Sequence, residues 1–129
     1  MVAVDADIIL ELIENRSRAA EVQNVIAYYA NDGEGFAVST LSVGHVFYLA
    51  EAHKVSMKRV EELVQQYKLY DVVAADVEWA LLHYKGKDFE DALQIAAALR
   101  EKCAVFLTID ALLARKYSKF LDIKLIGKP

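Results

Sequence analysis

The sequence predicts an α/β domain, a three-layer α/β/α sandwich around a central parallel sheet of four to five strands. Three observations lead there. Short apolar runs rich in valine and isoleucine recur along the chain, and each except the last leads into a helical pattern. The runs are apolar at successive positions instead of alternating, as strands covered on both faces are. Proline occurs once, at Pro129, and there are five glycines, so few residues interrupt helices. At 129 residues the chain matches one domain of the usual roughly 100 to 200 residues, taken as residues 1–129.

The elements follow in order. Val2 to Val4 opens as a strand, and Ile8 to Glu14 continues as a helix. Ser17 to Ala30 is a second helix because Ala19, Val22, Ile26 and Tyr29 recur at three- and four-residue spacing. Phe36 to Val38 reads as the second strand and Leu41 to His53 as the next helix. Met57 to Lys68 is helical by the same spacing of Val60, Leu63, Val64 and Tyr67. Val72 to Ala74 reads as the third strand, followed by helices at Val77 to Tyr84 and Phe89 to Glu101. Ala104 to Leu107 and Ile123 to Ile126 are the last two strands. Between them Asp110 precedes Ala111-Leu112-Leu113, where it suits the cap of a short helix.

Composition narrows the function classes. A hydrophobic content of 56% builds a core and excludes intrinsic disorder as the main state. The net charge of −4 excludes a global positive field for nucleic acid, so a phosphate partner must be met locally. From Glu101 to Pro129, Lys102, Arg115, Lys116, Lys119, Lys124 and Lys128 outnumber Glu101, Asp110 and Asp122, which suits either a basic rim or an ordinary solvated face. Cys103 is the single cysteine, so no intrachain disulfide forms. The start meets Asp5 and Asp7 at once and lacks the basic region of a signal peptide. Gly35 to Ala50 is free of Asp, Glu, Lys and Arg but is too short and too polar to span a bilayer. A soluble, cytoplasmic protein is expected.

The acids carry the chemistry. In an open α/β sheet, strand C-termini and the following helix N-termini share one edge, where ligands bind. Asp5 and Asp7 follow the first strand, and Asp110 follows the fourth after Thr108 and Ile109. Asp88 and Asp91 open the helix that leads into the fourth strand, so Asp91 and Asp110 are brought together. His45, in the second turn of the helix after the second strand, approaches the same edge. Converging carboxylates repel, and unless one protonates they call for a cation. Hard oxygen donors select Mg²⁺ or Mn²⁺, and such an ion polarises a phosphate and activates water, so phosphodiester hydrolysis is the matching reaction.

Plainer roles compete at each position. Asp88 with Asp91 suits a capping box, and Asp5 or Asp7 suits a cap of the first helix. His45, between Val43 and Val46, suits a packed or hydrogen-bonded side chain. Glu11, Glu14, Glu61 and Glu62 read as solvated helix faces. No H-x-x-x-H pair, CxxC pair or P-loop is present, so zinc, dithiol and Walker-type signatures are lacking.

Four segments together resemble the PIN-domain family: Val2-Ala3-Val4-Asp5-Ala6-Asp7-Ile8-Ile9-Leu10, Val38-Ser39-Thr40-Leu41-Ser42-Val43-Gly44-His45-Val46-Phe47-Tyr48-Leu49, Lys87-Asp88-Phe89-Glu90-Asp91-Ala92-Leu93-Gln94-Ile95-Ala96-Ala97-Ala98, and Val105-Phe106-Leu107-Thr108-Ile109-Asp110. Each is weak alone, but they stand in the family's order and spacing over nearly the whole chain. The resemblance implies an acidic pocket that binds Mg²⁺ or Mn²⁺ and cleaves single-stranded RNA. It also implies a VapC-like toxin neutralised by a cognate antitoxin. By position, Asp5, Asp91 and Asp110 are then the catalytic and metal-binding acids, holding the ion directly or through water. Asp7, where the family often has Asn or Ser, orients a water or adds a ligand. His45 departs from the pattern, because most nuclease members carry Glu there; one carboxylate fewer lowers metal affinity and puts catalysis in question.

A reading from another class follows from His45: a PIN-like module that binds RNA or protein with lost or weakened catalysis. A phosphoacceptor receiver domain ranks below both, because Asp76 follows a strand but no Lys succeeds the fourth strand until Lys116. A homodimer is expected, since self-complementary pairs are the commonest soluble assembly. Exposed apolar positions between Leu41 and Lys68 are the expected place for a dimer or antitoxin contact.

Overall fold

Val2-Ala3-Val4 is apolar at every position because the strand it forms is covered on both faces, and all three residues are buried. In the computed structural model, which describes residues 1–127, this strand is the centre of a five-stranded parallel sheet. The elements in chain order are β1 (Val2–Val4), α1 (Ala6–Ile13), α2 (Ala19–Asn31), β2 (Phe36–Ser39), α3 (Thr40–Ala52) and α4 (Met57–Val64). They continue with β3 (Lys68–Tyr70), α5 (Ala74–His83), α6 (Phe89–Arg100), β4 (Val105–Thr108), α7 (Ala111–Tyr117) and β5 (Ile123–Leu125). The strand order is β3-β2-β1-β4-β5, with Ala3 in register with Ala37 on one side and Phe106 on the other.

Alternation along the strands divides the core between two layers. Val2, Val4, Val38, Val105 and Leu107 face α1 to α4, where Ile8, Ile9, Leu10, Ile13 and Val46 are buried. Ala3, Ala37, Tyr70 and Phe106 face α5 to α7, where Ala92, Ile95, Ala97, Ala98, Leu113 and Tyr117 are buried. The small side chains of Ala3 and Ala37 bring α6, itself rich in alanine, close to the sheet. Truncating a branched side chain such as Ile9 to Ala leaves a cavity that costs about 2–5 kcal/mol.

Four strands lie where the sequence puts them, and the third does not. Instead of Val72 to Ala74, β3 is Lys68–Tyr70. It is an edge strand with Lys68 and Leu69 exposed, so it lacks the apolar run that marks a covered strand. Val72 and Val73 lead into α5 instead; the Asp76 carboxylate accepts the Val73 N–H at 2.9 Å, and the helix starts three residues before the predicted Val77. The fourth helix stops at Val64 and not Lys68, because the chain turns through Tyr67 while that ring still packs on the core. Glu11 is also not solvated: it is buried, and its carboxylate accepts the Arg18 N–H at 3.0 Å at the start of α2.

Candidate active site

The connections fix where the site lies. From β1 the chain turns to β2 on one side, whereas β4 continues to β5 on the other, so β1 and β4 are neighbours at which the winding reverses. The crevice outside their C-terminal ends is where open α/β sheets bind ligands. Asp5 directly follows β1 and Asp110 closely follows β4. Helix α6 begins at the same edge and carries Asp91 in its first turn. These elements wall an open depression of about 240 Å³ lined by Asp5, Ala6, Asp7, His45, Lys87, Asp88, Glu90, Asp91, Gln94 and Asp110.

Asp5 occupies the N-cap position of α1, but its side chain makes no capping bond. Its Oδ2 instead accepts the Thr108 hydroxyl at 2.9 Å, and Thr108 Oγ1 accepts the Asp110 N–H at 3.0 Å. One buried threonine thus spaces the acids of β1 and β4. Burial pushes the Asp5 carboxyl up to about 7; Asp7 and then Asp91 add repulsion, against the hydrogen bond from Thr108. Burial also pushes Asp91 up to about 6, helped by Asp110, Asp88 and Glu90 and opposed by Lys116. Asp110 does cap α7, because its Oδ1 accepts from Leu112 N at 2.9 Å and Leu113 N at 3.1 Å. Its second oxygen makes no hydrogen bond to the described residues and stays available to the pocket.

Asp88 differs from the other acids. It is buried at the N-cap position of α6, yet its side chain bonds to no N–H of that helix. Oδ1 accepts from Lys85 N at 2.6 Å, Oδ2 accepts from the Tyr117 hydroxyl at 2.5 Å, and Lys116 Nζ lies 3.5 Å away. Burial alone would raise its pKa, but these donors hold the carboxyl below its ordinary value. The capping box expected of Asp88 and Asp91 is therefore not formed, since the Asp88 carboxylate is drawn toward the loop before α6 and toward α7.

Several lining residues carried no signal in the sequence. Glu90 stands within the α6 segment with no role assigned by the sequence; its Oε1 lies 3.6 Å from His45 Nδ1 across the mouth. Gln94 is buried one turn after Asp91 and accepts the Ser42 hydroxyl at 2.8 Å, tying α6 to α3. Lys87 places a cation on the wall beside Asp88. Of the expected basic rim, only Arg115, Lys116 and Lys119 lie on or directly after α7; Lys102 follows α6 at the opposite end, Lys124 lies in β5, and Lys128 lies outside the described residues.

The donor chemistry fits a hard divalent cation. Asp5 and Asp91 are pushed toward the neutral acid by burial and by the repulsion of neighbouring carboxylates, which a cation would reverse. Among the described residues no three His, Cys, Asp or Glu side chains close around one point. Mg²⁺ takes one or two carboxylates directly and fills the rest of its shell with water, so it does not require three protein ligands at one point. Among the described residues no helix is long and apolar enough to cross a membrane.

The comparisons agree with this architecture. A toxin–antitoxin complex from Klebsiella pneumoniae superposes with a TM-score of 0.75 at 15% identity, covering 100% of both chains. VapBC2 from Rickettsia felis, bound to a DNA fragment from its promoter, gives 0.69 at 12% identity, again over 100% of both chains. PAE2754 from Pyrobaculum aerophilum gives 0.60 at 17% identity, over 89% of this chain and 84% of that one. No curated protein matches the sequence. The sequence profile of the PIN domain matches residues 2–119, and the chain accordingly belongs to the PIN-domain family.

Proposed function

We propose that the protein is a divalent-metal-dependent endoribonuclease that hydrolyses phosphodiester bonds in single-stranded RNA. The observation that supports it is the convergence of Asp5, Asp91 and Asp110 at the β1/β4 crevice, with Asp5 and Asp91 held well above the ordinary carboxylate range. Membership of a family whose members are generally nucleases points the same way. When bound, Mg²⁺ or Mn²⁺ would polarise the scissile phosphate and lower the pKa of a coordinated water.

The chain's residues have separable tasks. Asp5, Asp91 and Asp110 would hold the ion, directly or through water. Thr108 orients Asp5 and keeps the Asp110 backbone in place. Asp7, which also lines the depression, would orient a water or add a ligand. His45 and Glu90 face each other there, so Glu90 restores a carboxylate to the wall that His45 leaves without one.

The same proposal makes the chain the toxin of a toxin–antitoxin pair, acting in the cytoplasm as a homodimer. The likeness to complexes described as toxin–antitoxin supports the first part. Tyr48, 72% exposed on α3, lies within the segment expected to carry a dimer or antitoxin contact. The direct test is incubation of purified protein with single-stranded RNA, duplex RNA and single-stranded DNA in Mn²⁺, in Mg²⁺ and in chelator. Cutting confined to single-stranded RNA with metal is expected. No cutting, together with no Mn²⁺-dependent rise in melting temperature, would leave a binding module in its place, the reading that His45 favours.

A further inference from the structure

Five of the fifteen Lys and Arg residues fall in two short segments: Lys85 and Lys87 before α6, and Arg115, Lys116 and Lys119 at the end of α7. Asp88 brings the segments together by accepting from Lys85 N and from the Tyr117 hydroxyl while Lys116 Nζ stands 3.5 Å away. Lys87 lines the acidic depression itself. Among the described residues, Lys85, Lys87, Arg115 and Lys119 form no ion pair. The crevice therefore has an acidic floor and one cationic wall, on a molecule whose net charge is negative.

The wall continues into an aromatic cluster. The ring of Tyr117, whose hydroxyl holds Asp88, lies 6.3 Å from that of Phe120. Phe120 stands edge-on to Trp79 at 5.1 Å and to His83 at 5.0 Å, with Lys119 Nζ 5.1 Å from its centroid. Tyr117 is buried and Phe120 and Trp79 pack against the same core, so the rings anchor the segment that carries Lys116 and Lys119 and offer no open face to a base.

We infer that Lys87 and Lys116 form a seat for the backbone of single-stranded RNA, taking phosphates next to the one placed over the acids. Asp88 is the positioning residue of this seat. The inference deepens the nuclease reading and rests on it.

The test is the binding of labelled single-stranded RNA in chelator, where nothing is cut, across a salt series. The proteins compared are the wild type, Lys87→Ala, the double variant Lys87→Ala/Lys116→Ala and the control Lys102→Ala/Lys124→Ala. Each phosphate contact on a single strand contributes about 0.7 to the slope of log K against log salt. Lys87→Ala should lower the slope by about 0.7 and the double variant by about 1.4, with affinity falling and the control unchanged. Lys87 has no ion pair to lose, so the single variant keeps the test valid should Lys116→Ala disturb the fold. The Mn²⁺-induced melting shift should persist in Lys87→Ala, since that lysine supplies no donor to the ion. Wild-type cleavage with unaltered binding by both lysine variants would overturn the seat alone. Absence of RNA binding and cleavage in the wild type would overturn both the seat and the nuclease reading.

Discussion

Thr108 donates its hydroxyl to Asp5 Oδ2 at 2.9 Å across 103 positions of sequence, and Thr108 Oγ1 accepts the Asp110 N–H. Replacing Thr108 with Val keeps the shape but leaves both partners unsatisfied, one of them a buried carboxyl. Each such loss costs about 1–3 kcal/mol. Urea unfolding of Thr108→Val should show a lower midpoint with an unchanged slope, and Mn²⁺ affinity should fall with it. An unaltered midpoint would show that Thr108 does not support Asp5.

Asp5 makes stability depend on pH in a definite direction. Its folded-state pKa of about 7 stands above the ordinary 3.8, so the folded chain binds more protons between those values. Metal-free stability is highest in the lower part of that window and declines as pH rises toward 7, with Asp91 contributing up to about 6. Asp88 and Glu14, both held low, act in the opposite sense at lower pH. In chelator, the melting temperature should be lower at pH 8 than at pH 5.5, and Mn²⁺ at pH 8 should narrow the gap. A melting temperature that rises from pH 5.5 to 8 in chelator would contradict the raised pKa.

Asp5→Asn separates stability from function. The amide is neutral, so burial and the repulsion from Asp7 and Asp91 no longer penalise it. In chelator at pH 8 the variant should melt several degrees above the wild type, with its pH dependence flattened. The metal-induced rise should vanish, because a ligand stabilises only the state that binds it. A destabilised variant that keeps the Mn²⁺ shift would mark Asp5 as structural.

Tyr117→Phe removes the hydroxyl that Asp88 accepts in a buried setting. A hydrogen bond to a charged group contributes about 1.5–3 kcal/mol, so thermal and urea unfolding should both register a loss of that order. The packing of Tyr117 against Trp79 and Phe120 is retained by the new ring. No change in stability would show that Lys85 N and Lys116 suffice to hold Asp88.

Most of the architecture was legible because buried strands and amphipathic helices write their environment into hydrophobic spacing. Val2 to Val4 and Ala104 to Leu107 are apolar throughout since helices cover both faces, and the edge rule then placed Asp5, Asp91 and Asp110 at one crevice. Lys68 to Tyr70 escaped notice because an exposed edge strand needs no apolar run. Asp88 read as a cap because caps favour Asp, whereas its actual partners, Lys116 and Tyr117, lie 28 and 29 residues on and leave no local mark. The approach of Glu90 to His45 joins α6 to α3 through tertiary packing, which spacing within one helix does not report.

The central claim is that the crevice acids perform metal-dependent RNA cleavage. Its most direct measurement is the cutting of a mixed single-stranded RNA pool by wild type and Asp91→Asn side by side, in Mn²⁺ and in chelator. The account predicts discrete fragments from the wild type in Mn²⁺ alone and none from Asp91→Asn, with both proteins folded. Equal cutting by Asp91→Asn, or cutting that persists in chelator, would contradict it.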